Sequence, residues 1–138
     1  MPAAKEFAVR MEDLPGTLGK ACRALADRGV NILALQSFPS GGENLVRFVA
    51  DNPITARRVL DGQDLAYTEE QVVQAKLRNR PGELARAAAQ LGEANINIDY
   101  AYCGVEPGTG ASLMIFGVSD VDRAVAILDQ AAVAAVSN

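Results

Sequence analysis

The stretch Leu14-Pro15-Gly16-Thr17-Leu18 decides the fold, because a close copy of it returns 66 residues later as Arg80-Pro81-Gly82-Glu83-Leu84. The same offset aligns Val30-Asn31-Ile32 with Ile96-Asn97-Ile98. Self-similarity at a fixed period is the sequence signature of duplicated structural units. We therefore expect the chain to contain two copies of one module.

Further along the chain the offset between the copies becomes 68, which aligns Phe48 with Phe116. The second copy therefore carries two extra residues, and the Gly- and Pro-containing segment 104–112 is the place where a surface loop accommodates them most easily. The repeat predicts a first domain at residues 1–69 and a second at residues 70–138.

Each copy shows the same hydrophobic periods in the same order. Apolar residues alternate with other residues at 7–11 and at 73–77, which predicts a half-buried strand. After each Pro-Gly pair, apolar residues recur at helical spacing and predict a helix of about three turns. Gly29 and Asn95 follow these helices, and both residue types tolerate the left-handed conformation that ends a helix.

A hairpin and a second helix complete each predicted module. The expected hairpin strands are 30–38 with 44–50 and 96–103 with 113–118, the second helices are 54–60 and 121–131, and weak final strands follow near 65–68 and 133–136. This order predicts an α+β fold of two tandem ferredoxin-like βαββαβ modules, with antiparallel sheets covered by helices on one face. Because lone modules of this size are marginally stable, we expect them to pair edge to edge as an intrachain pseudo-dimer, across a short connection at 69–71.

Composition excludes several classes of protein. The 138 residues carry a net charge of −4 without a block of like charges, so a nucleic-acid partner is not expected. The apolar stretches are too short and too interrupted to predict a membrane span. The N-terminus meets the charged pair Lys5-Glu6 before any apolar run, so no signal peptide is expected and we infer a cytoplasmic protein.

The chain contains no histidine, which removes the commonest general base and the commonest nitrogen ligand for zinc. We therefore expect no catalytic site, no metal and no cofactor. The two cysteines, Cys22 and Cys103, occupy different positions in the two copies, which favours buried core thiols over a redox or metal role.

The second copy carries Asn79-Arg80-Pro81-Gly82-Glu83-Leu84 and then Asn95-Ile96-Asn97-Ile98, and in this pattern it resembles the ACT domain, an amino-acid-sensing module of many biosynthetic enzymes. The first copy carries a degenerate form, Asp13-Leu14-Pro15-Gly16-Thr17-Leu18 followed by Gly29-Val30-Asn31-Ile32. Together the copies cover nearly the whole chain. The resemblance is therefore to stand-alone proteins of two tandem ACT domains, and it implies a non-catalytic regulatory protein.

The resemblance also implies a place for the ligand, near the loop that leads into the first helix of one ACT unit and the second strand of the other. The implied ligand-binding residues are Asp13, Leu14, Gly16, Asn31 and Ile32 in the first copy, and Asn79, Arg80, Gly82, Asn97 and Ile98 in the second. We expect two pseudo-equivalent sites, one joining the Asp13 loop to Asn97 and one joining the Asn79 loop to Asn31. A helix N-terminus attracts a carboxylate, and amides and carboxylates can accept hydrogen bonds from an ammonium group.

Two departures from the family pattern bear on the ligand. Met11 and Leu77 stand where serine-binding members carry histidine, which favours an amino acid more apolar than serine. Asp13 replaces an asparagine in only one copy, so the two sites are expected to differ in affinity.

Structural interpretations of the same residues stay open. Asn31 and Asn97 are also typical turn residues, and Asp13 and Asn79 are typical N-caps. The glycine-rich segment 104–110 lacks the Lys and Ser/Thr of a phosphate-binding loop and is expected to be a mobile turn. Tyr100 and Tyr102 lie on one face of their strand, where they either pack across strands or line a pocket.

Among competing functions, a metal-dependent enzyme of the duplicated βαβββ type requires histidine ligands that this chain lacks. A sheet-based RNA-binding protein requires stacking aromatic residues and a basic surface. The remaining alternative is a protein-protein interaction module with vestigial ligand sites. In either case we expect a homodimer, and a regulatory role implies an amino-acid ligand and a metabolic enzyme bound in trans.

Overall fold

The computed structural model describes residues 3–137, with side chains described up to Asp129. The chain divides into two compact units, a first unit from Lys5 to Glu70 and a second unit that runs from Gln71 onward and also includes Ala3 and Ala4. The elements in chain order are β1 (Ala3–Glu12), α1 (Thr17–Asp27), β2 (Ile32–Ser40), β3 (Glu43–Ala50), α2 (Pro53–Gly62), β4 (Ala66–Leu77), α3 (Glu83–Glu93), β5 (Ile98–Val105), β6 (Ser112–Val118) and α4 (Val121–Ser137).

In the first unit, β3 lies between β1 and β2 and pairs antiparallel with both. The β2–β3 hairpin turns at Gly41 and Gly42, whose φ angles of 61° and 83° suit the two-residue turn of a twisted hairpin. The beginning of β4 lies near β1, because Lys5 Nζ is 3.5 Å from a Glu69 carboxylate oxygen. This arrangement is of the βαββαβ type that the sequence predicts.

The helices of the first unit cover one face of its sheet. The core there joins Phe7, Val9, Met11, Val46 and Phe48 of the strands to Leu25, Ala56, Val59 and Leu60 of the helices. The other face carries buried residues as well, since Glu6 is fully buried and its carboxylate lies 3.9 Å from Arg47 Nε. The Arg47 side chain is only 21% exposed.

The second unit repeats this plan with β6 between β4 and β5. Its core joins Val73, Ala75, Met114 and Phe116 of the strands to Ala87, Leu91, Ala124 and Leu128 of α3 and α4. In each unit the strand after the first helix has a register shift near its start, at Ile32/Ala34 in β2 and at Ile98/Tyr100 in β5.

Strand β4 differs from the prediction. The sequence predicts one strand near 65–68, a connection at 69–71 and a new strand at 73–77, whereas β4 is a single strand of 12 residues. The physical reason is visible in the sequence, because no Gly, Pro, Asn or Asp occurs between Ala66 and Leu77 to form a turn. The boundary between the units therefore falls inside β4.

The end of the chain also differs from the prediction. A final strand is expected near 133–136, but α4 continues to Ser137. Four alanines between 131 and 135, with no Gly or Pro among them, favour continued helix over a strand. The described chain therefore has six strands rather than the eight that two complete modules would supply.

Helix ends follow local chemistry. Gly29 and Asn95 have φ angles of 72° and 59°, which confirms the predicted left-handed ends of α1 and α3. Asn52 caps α2, where its side-chain oxygen accepts a hydrogen bond from the Thr55 amide at 3.1 Å. Asp120 accepts one from the Arg123 amide at the start of α4, also at 3.1 Å.

The loop between β5 and β6 has internal hydrogen bonds. The Glu106 amide donates to the Ala111 carbonyl oxygen at 2.9 Å, and the Thr109 hydroxyl donates to the Glu106 carboxylate at 3.1 Å. Lys76 Nζ lies 2.9 Å from the same carboxylate, and a hydrogen bond from Lys76 lowers the pKa of Glu106. These contacts tie the loop to β4.

Both cysteines are free thiols, but only Cys22 contacts a core. Burial raises the pKa of the Cys22 thiol. Cys103 is exposed, so the prediction of a buried thiol there is wrong. Among the residues described, no group of His, Cys, Asp and Glu side chains is arranged to hold a metal ion, and no helix is long and apolar enough to cross a membrane.

Candidate functional site

The β1–α1 loop presents the predicted ligand residues of the first unit to solvent. Asp13 is exposed, and Leu14 is 61% exposed. Gly16 occupies the N-cap position of α1 with a φ angle of 90°, and no side chain caps the helix. The alternative that Asp13 is an N-cap is therefore wrong. The first amides of α1 are left as hydrogen-bond donors without a side-chain acceptor.

Asn31 and Ile32 lie at the other end of α1. The Asn31 amide donates to the Asp51 carboxylate at 2.9 Å, and the Asp51 amide donates to the Asn31 carbonyl oxygen at 3.0 Å. Ile32 packs against the first core. Helix α1 has 11 residues, so a length of roughly 16 Å separates these residues from Gly16. The first unit by itself therefore does not bring its predicted ligand residues together.

The predicted residues of the second unit are placed in the same way but have more partners. Gly82 is the N-cap of α3 with a φ angle of 91° and no side-chain cap, so Asn79 is not the cap either. Ile98 packs against the second core. Asn97 is exposed, and its side-chain amide donates to the Asp99 carboxylate at 2.9 Å. One donor of the predicted ligand contact is thus already bonded within the chain.

The start of α3 carries its own carboxylate. The guanidinium of Arg80 donates a hydrogen bond to Glu83, and Arg86 Nη1 lies 3.8 Å from the second carboxylate oxygen of Glu83. The Glu83 side chain is only 12% exposed. The hydrogen bond from Arg80 lowers the pKa of Glu83. An anion at a helix N-terminus is stabilised by the helix dipole. The Glu83 carboxylate therefore balances the partial positive charge at the start of α3.

The start of α1 has no such group. The first turn of α1 contains no acidic residue, and Thr17 stands at the position of Glu83. Beside this helix start the first unit has an open cleft of about 490 Å³. The cleft is lined by Arg10, Met11, Glu12, Thr17, Lys20, Ala21, Glu43, Gln63, Asp64, Leu65 and Ala66. A volume of a few hundred Å³ is typical of small-molecule sites.

Charged side chains of both signs line this cleft, with the cations Arg10 and Lys20 and the carboxylates Glu12, Glu43 and Asp64. Lys20 lies in the first turns of α1, is exposed, and has no ion-pair partner among the described residues. Glu12 and Glu43 stand directly opposite each other in the β1–β3 ladder. Like charges in directly opposed positions destabilise a sheet. Two carboxylates held in this way attract a cation.

None of the predicted ligand-binding residues lines this cleft, although Gly16 directly precedes Thr17, and sequence reasoning missed the residues that do. The sequence alone could have drawn attention to Thr17 and Lys20, because the repeat aligns them with the charged residues Glu83 and Arg86. The signal for Glu12 and Glu43 was absent, because their opposition depends on the register between two strands that are distant in sequence.

Comparison with known proteins finds a family match in part of the chain. Residues 6–60 match the family model of the ACT domain. The match covers the first unit from β1 to near the end of α2, and it confirms the resemblance for that unit. A search of curated proteins finds no match to the chain.

Solved structures match along nearly the whole chain. A protein from Bacteroides thetaiotaomicron is 23% identical, with a TM-score of 0.82 over 93% of this chain and 88% of that one. The ligand-free regulatory subunit of aspartate kinase from Thermus thermophilus is 15% identical, with a TM-score of 0.64 over 93% and 91% of the two chains. The corresponding subunit from Thermus flavus is 16% identical, with a TM-score of 0.60 over 94% and 92%. At these identities the likeness concerns the fold.

Proposed function

We propose that this protein is a non-catalytic regulator that binds a small amino acid and acts in trans on a metabolic enzyme of the cytoplasm. In this proposal both units are ACT domains, and the protein works as a homodimer. The observation that carries the proposal is the ACT match of the first unit, in which a helix start without a side-chain cap borders an open cleft.

The fold comparison supports a regulatory role. The chain aligns over 93% of its length with 91% of a regulatory subunit of aspartate kinase, so the likeness extends beyond the segment that matches the family model. That subunit belongs to an enzyme system, which is consistent with a metabolic enzyme as the partner of this protein.

The chemistry of the first unit supports a zwitterionic ligand. Amides at the start of α1 without a side-chain acceptor and the Lys20 ammonium suit a carboxylate, while Glu12 and Glu43 suit an ammonium group. The interaction module with vestigial sites predicts a pocket filled by side chains, whereas this cleft is open. The geometry therefore favours a sensor over that alternative.

The residues implied by the family resemblance remain part of the proposal. Asn31 and Asn97 are exposed, and so are Asp13 and Asn79 in the loops that lead into α1 and α3. We infer that these amides and this carboxylate contribute to ligand binding, with an affinity difference that follows from the single Asp-for-Asn replacement.

A thermal-shift screen against the twenty amino acids at millimolar concentration tests the proposal. A ligand that binds only the folded state raises stability by about 2.7 kcal/mol when its concentration is 100 times its Kd, which corresponds to an increase in Tm of several degrees. We expect a selective increase for one or a few amino acids. The double variant Asn31→Ala/Asn97→Ala is expected to reduce it, and Arg23→Ala on the exposed face of α1 serves as the control.

A flat response to all twenty amino acids contradicts the proposal and favours the interaction module. A Tm increase that is equal in wild type and in Asn31→Ala/Asn97→Ala removes those two amides from the site while leaving amino-acid binding in place. Sedimentation equilibrium of the purified chain tests the homodimer, and a monomer at all concentrations contradicts that part.

A further inference from the structure

Helices α1 and α3 occupy the same place in the repeat, and five aligned positions are exposed in both of them. We call these five positions the outer face of each helix. The outer face of α3 consists of Ala85, Arg86, Ala89, Gly92 and Glu93, and that of α1 consists of Gly19, Lys20, Arg23, Ala26 and Asp27. Residues three or four apart lie on the same side of a helix, so each set forms one continuous surface. The outer face of α1 is therefore an internal reference for that of α3.

The outer face of α1 has a charged side chain at its centre. Arg23 Nη1 lies 3.7 Å from the Asp27 carboxylate, one turn along the same helix, and both side chains are mostly exposed. A second helix packed on this surface would have to remove both charges from water, which costs free energy. The charges of α1 are therefore suited to solvent.

The outer face of α3 is neutral at its centre. Ala89 stands at the position of Arg23, and Ala85 and Gly92 lie one turn before it and about one turn after it. Nothing lies within 4 Å of the place where a Cβ of Gly92 would be, so the unit itself does not cover this surface. Short side chains allow the axes of two packed helices to approach to about 8 Å. The centre of this face is thus suited to contact with another helix.

The charges of α3 lie at the two ends of its outer face. Arg86 belongs to the N-terminal half, where it and Arg80 flank the carboxylate of Glu83. Glu93 is the last residue of the helix, its last turn contains no basic residue, and it has no ion-pair partner among the described residues. A carboxylate at a helix C-terminus is destabilised by the helix dipole. Glu93 therefore lacks the cation that Arg23 provides for Asp27 in α1.

This arrangement of charges is complementary to a second copy of the same helix in the opposite direction. Arg86 and Glu93 are seven residues apart, which is nearly two turns, so they lie on one side of α3 about 10 Å apart along its axis. A two-fold axis near Ala89 would bring each Arg86 to Glu93 of the partner subunit. Parallel packing would instead oppose like charges, so the charges favour the antiparallel arrangement.

We propose that the outer face of α3 is the contact between two copies of this chain, with the helices antiparallel and Ala89 near the two-fold axis. The inference rests on the homodimer of the proposed function and assigns it to a surface, whereas the outer face of α1 stays in solvent. The helices have 11 residues, so the contact is roughly 16 Å long and smaller than that of an obligate dimer. We therefore expect a reversible dimer whose population depends on concentration.

Sedimentation equilibrium of the full chain, from micromolar to millimolar concentration, is the first experiment. Ala89→Arg gives α3 the central side chain of α1 and is expected to raise the dimer Kd at least tenfold. Arginine is a good helix former, so the variant should keep its circular dichroism spectrum and its unfolding transition. Arg23→Ala is the matched control in α1 and should change the Kd less than twofold.

Two charge variants test the antiparallel pairing. Glu93→Arg and Arg86→Glu each place like charges at both ends of the contact, and each should raise the Kd of its own homodimer at least tenfold. An equimolar mixture of the two should form a heterodimer with a Kd near that of the wild type, because both ion pairs are restored. Both variants should stay folded, since each new charge suits its end of the helix dipole and Arg80 still holds Glu83.

Lys20→Glu and Asp27→Arg are the matched controls, because they make the same changes of charge at the aligned positions of α1. Each should dimerise like the wild type, and their mixture should show no additional association. Recovery in this mixture equal to that of the α3 variants would attribute the association to overall charge and overturn the inference.

The outcomes separate this inference from the proposed function. A dimer Kd that is equal in Ala89→Arg and in wild type overturns the α3 contact, while the homodimer stands. Failure of the mixture of Glu93→Arg and Arg86→Glu to recover overturns the antiparallel pairing. A monomer at all concentrations overturns both the contact and the homodimer, whereas amino-acid binding is decided separately by the thermal-shift screen on the same sample.

Discussion

The helix starts after the two Pro-Gly pairs share a backbone and differ in how their positive end is satisfied. At α3 the chain supplies Glu83, held by Arg80 and Arg86. At α1 it supplies Thr17 and an open cleft. The comparison teaches that two helix starts whose N-cap glycines have nearly the same φ angle can differ in charge, because Leu14 and Thr17 stand where the second copy has Arg80 and Glu83.

A second difference between the units concerns the sizes of two side chains that face each other across paired strands. Ala34 faces Val49 in the β2–β3 ladder, and the aligned positions in the β5–β6 ladder hold Tyr100 and Gly117. A methyl group on Gly117 would lie 2.3 Å from the Tyr100 ring. In the second unit the larger side chain of this facing pair is therefore on β5, whereas in the first unit it is on β3. Tyr100 also stacks on Tyr102, with ring centroids 6.4 Å apart.

The largest expected effect compares the aligned core residues Phe48 and Phe116. Both are almost fully buried, so substitution by alanine should lower the free energy of unfolding by about 3–5 kcal/mol. Phe48→Ala should cost about 0.5–1.5 kcal/mol more than Phe116→Ala, because Phe48 also stacks on Phe7 with ring centroids 5.3 Å apart. Urea unfolding followed by circular dichroism measures both, and a larger loss for Phe116→Ala contradicts the comparison.

The next prediction tests whether a side chain at position 117 would occupy the same space as the Tyr100 ring. Gly117→Val should lower the free energy of unfolding by about 1–3 kcal/mol or more, because its side chain collides with Tyr100. Adding Tyr100→Ala recreates the Ala34/Val49 pair of the first unit and should recover most of that loss. A double-mutant cycle with no coupling between the two sites would show that the rings do not share this space.

A smaller effect tests a feature that the two units have in common. Asn52→Ala and Asp120→Ala remove the side-chain caps of α2 and α4 and should each lower the free energy of unfolding by about 1 kcal/mol. Asp13→Ala and Asn79→Ala are the matched controls, because neither residue caps a helix and both are exposed. A loss at Asp13 as large as the loss at Asn52 would restore the capping interpretation that the structure rejects.

The smallest expected effect is the pH dependence of the stabilisation that the Glu83 carboxylate provides. The pKa of Glu83 is lowered in the folded protein, so its stabilisation is present above its ordinary value of 4.5 and is lost as the pH falls through the lower, folded value. Glu83→Gln should therefore be less stable than wild type at pH 7, and the difference should shrink below pH 4.5. Unfolding curves between pH 3 and pH 7 measure it, and a constant difference across this range contradicts the ion-pair account.

Local chemistry made much of the fold predictable. The Pro-Gly pairs place the starts of α1 and α3, and Gly29 and Asn95 place their ends, because each residue acts through its own backbone conformation. The predictions for β4 and for the end of α4 were wrong because each copy was expected to contain a complete βαββαβ module. The absence of turn residues in β4 and the alanines of α4 override the expected repeat at those two places.

The candidate site was less predictable, because it depends on pairing between distant segments. The Glu12–Glu43 opposition exists only when β1 and β3 are in register, and the close approach of Tyr100 to Gly117 depends on the register between β5 and β6. The Thr17–Glu83 difference was readable from the repeat alone, yet its meaning depends on the absence of a side-chain cap at both helix starts.

A crystal structure of the full chain grown with the amino acid that gives the largest Tm increase tests the central claim most directly. The account predicts an amino acid in the cleft of the first unit, with its carboxylate at the start of α1 and Lys20 and its ammonium beside Glu12 and Glu43. Crystals in which the amino acid is bound only at places without contact to α1 would contradict it.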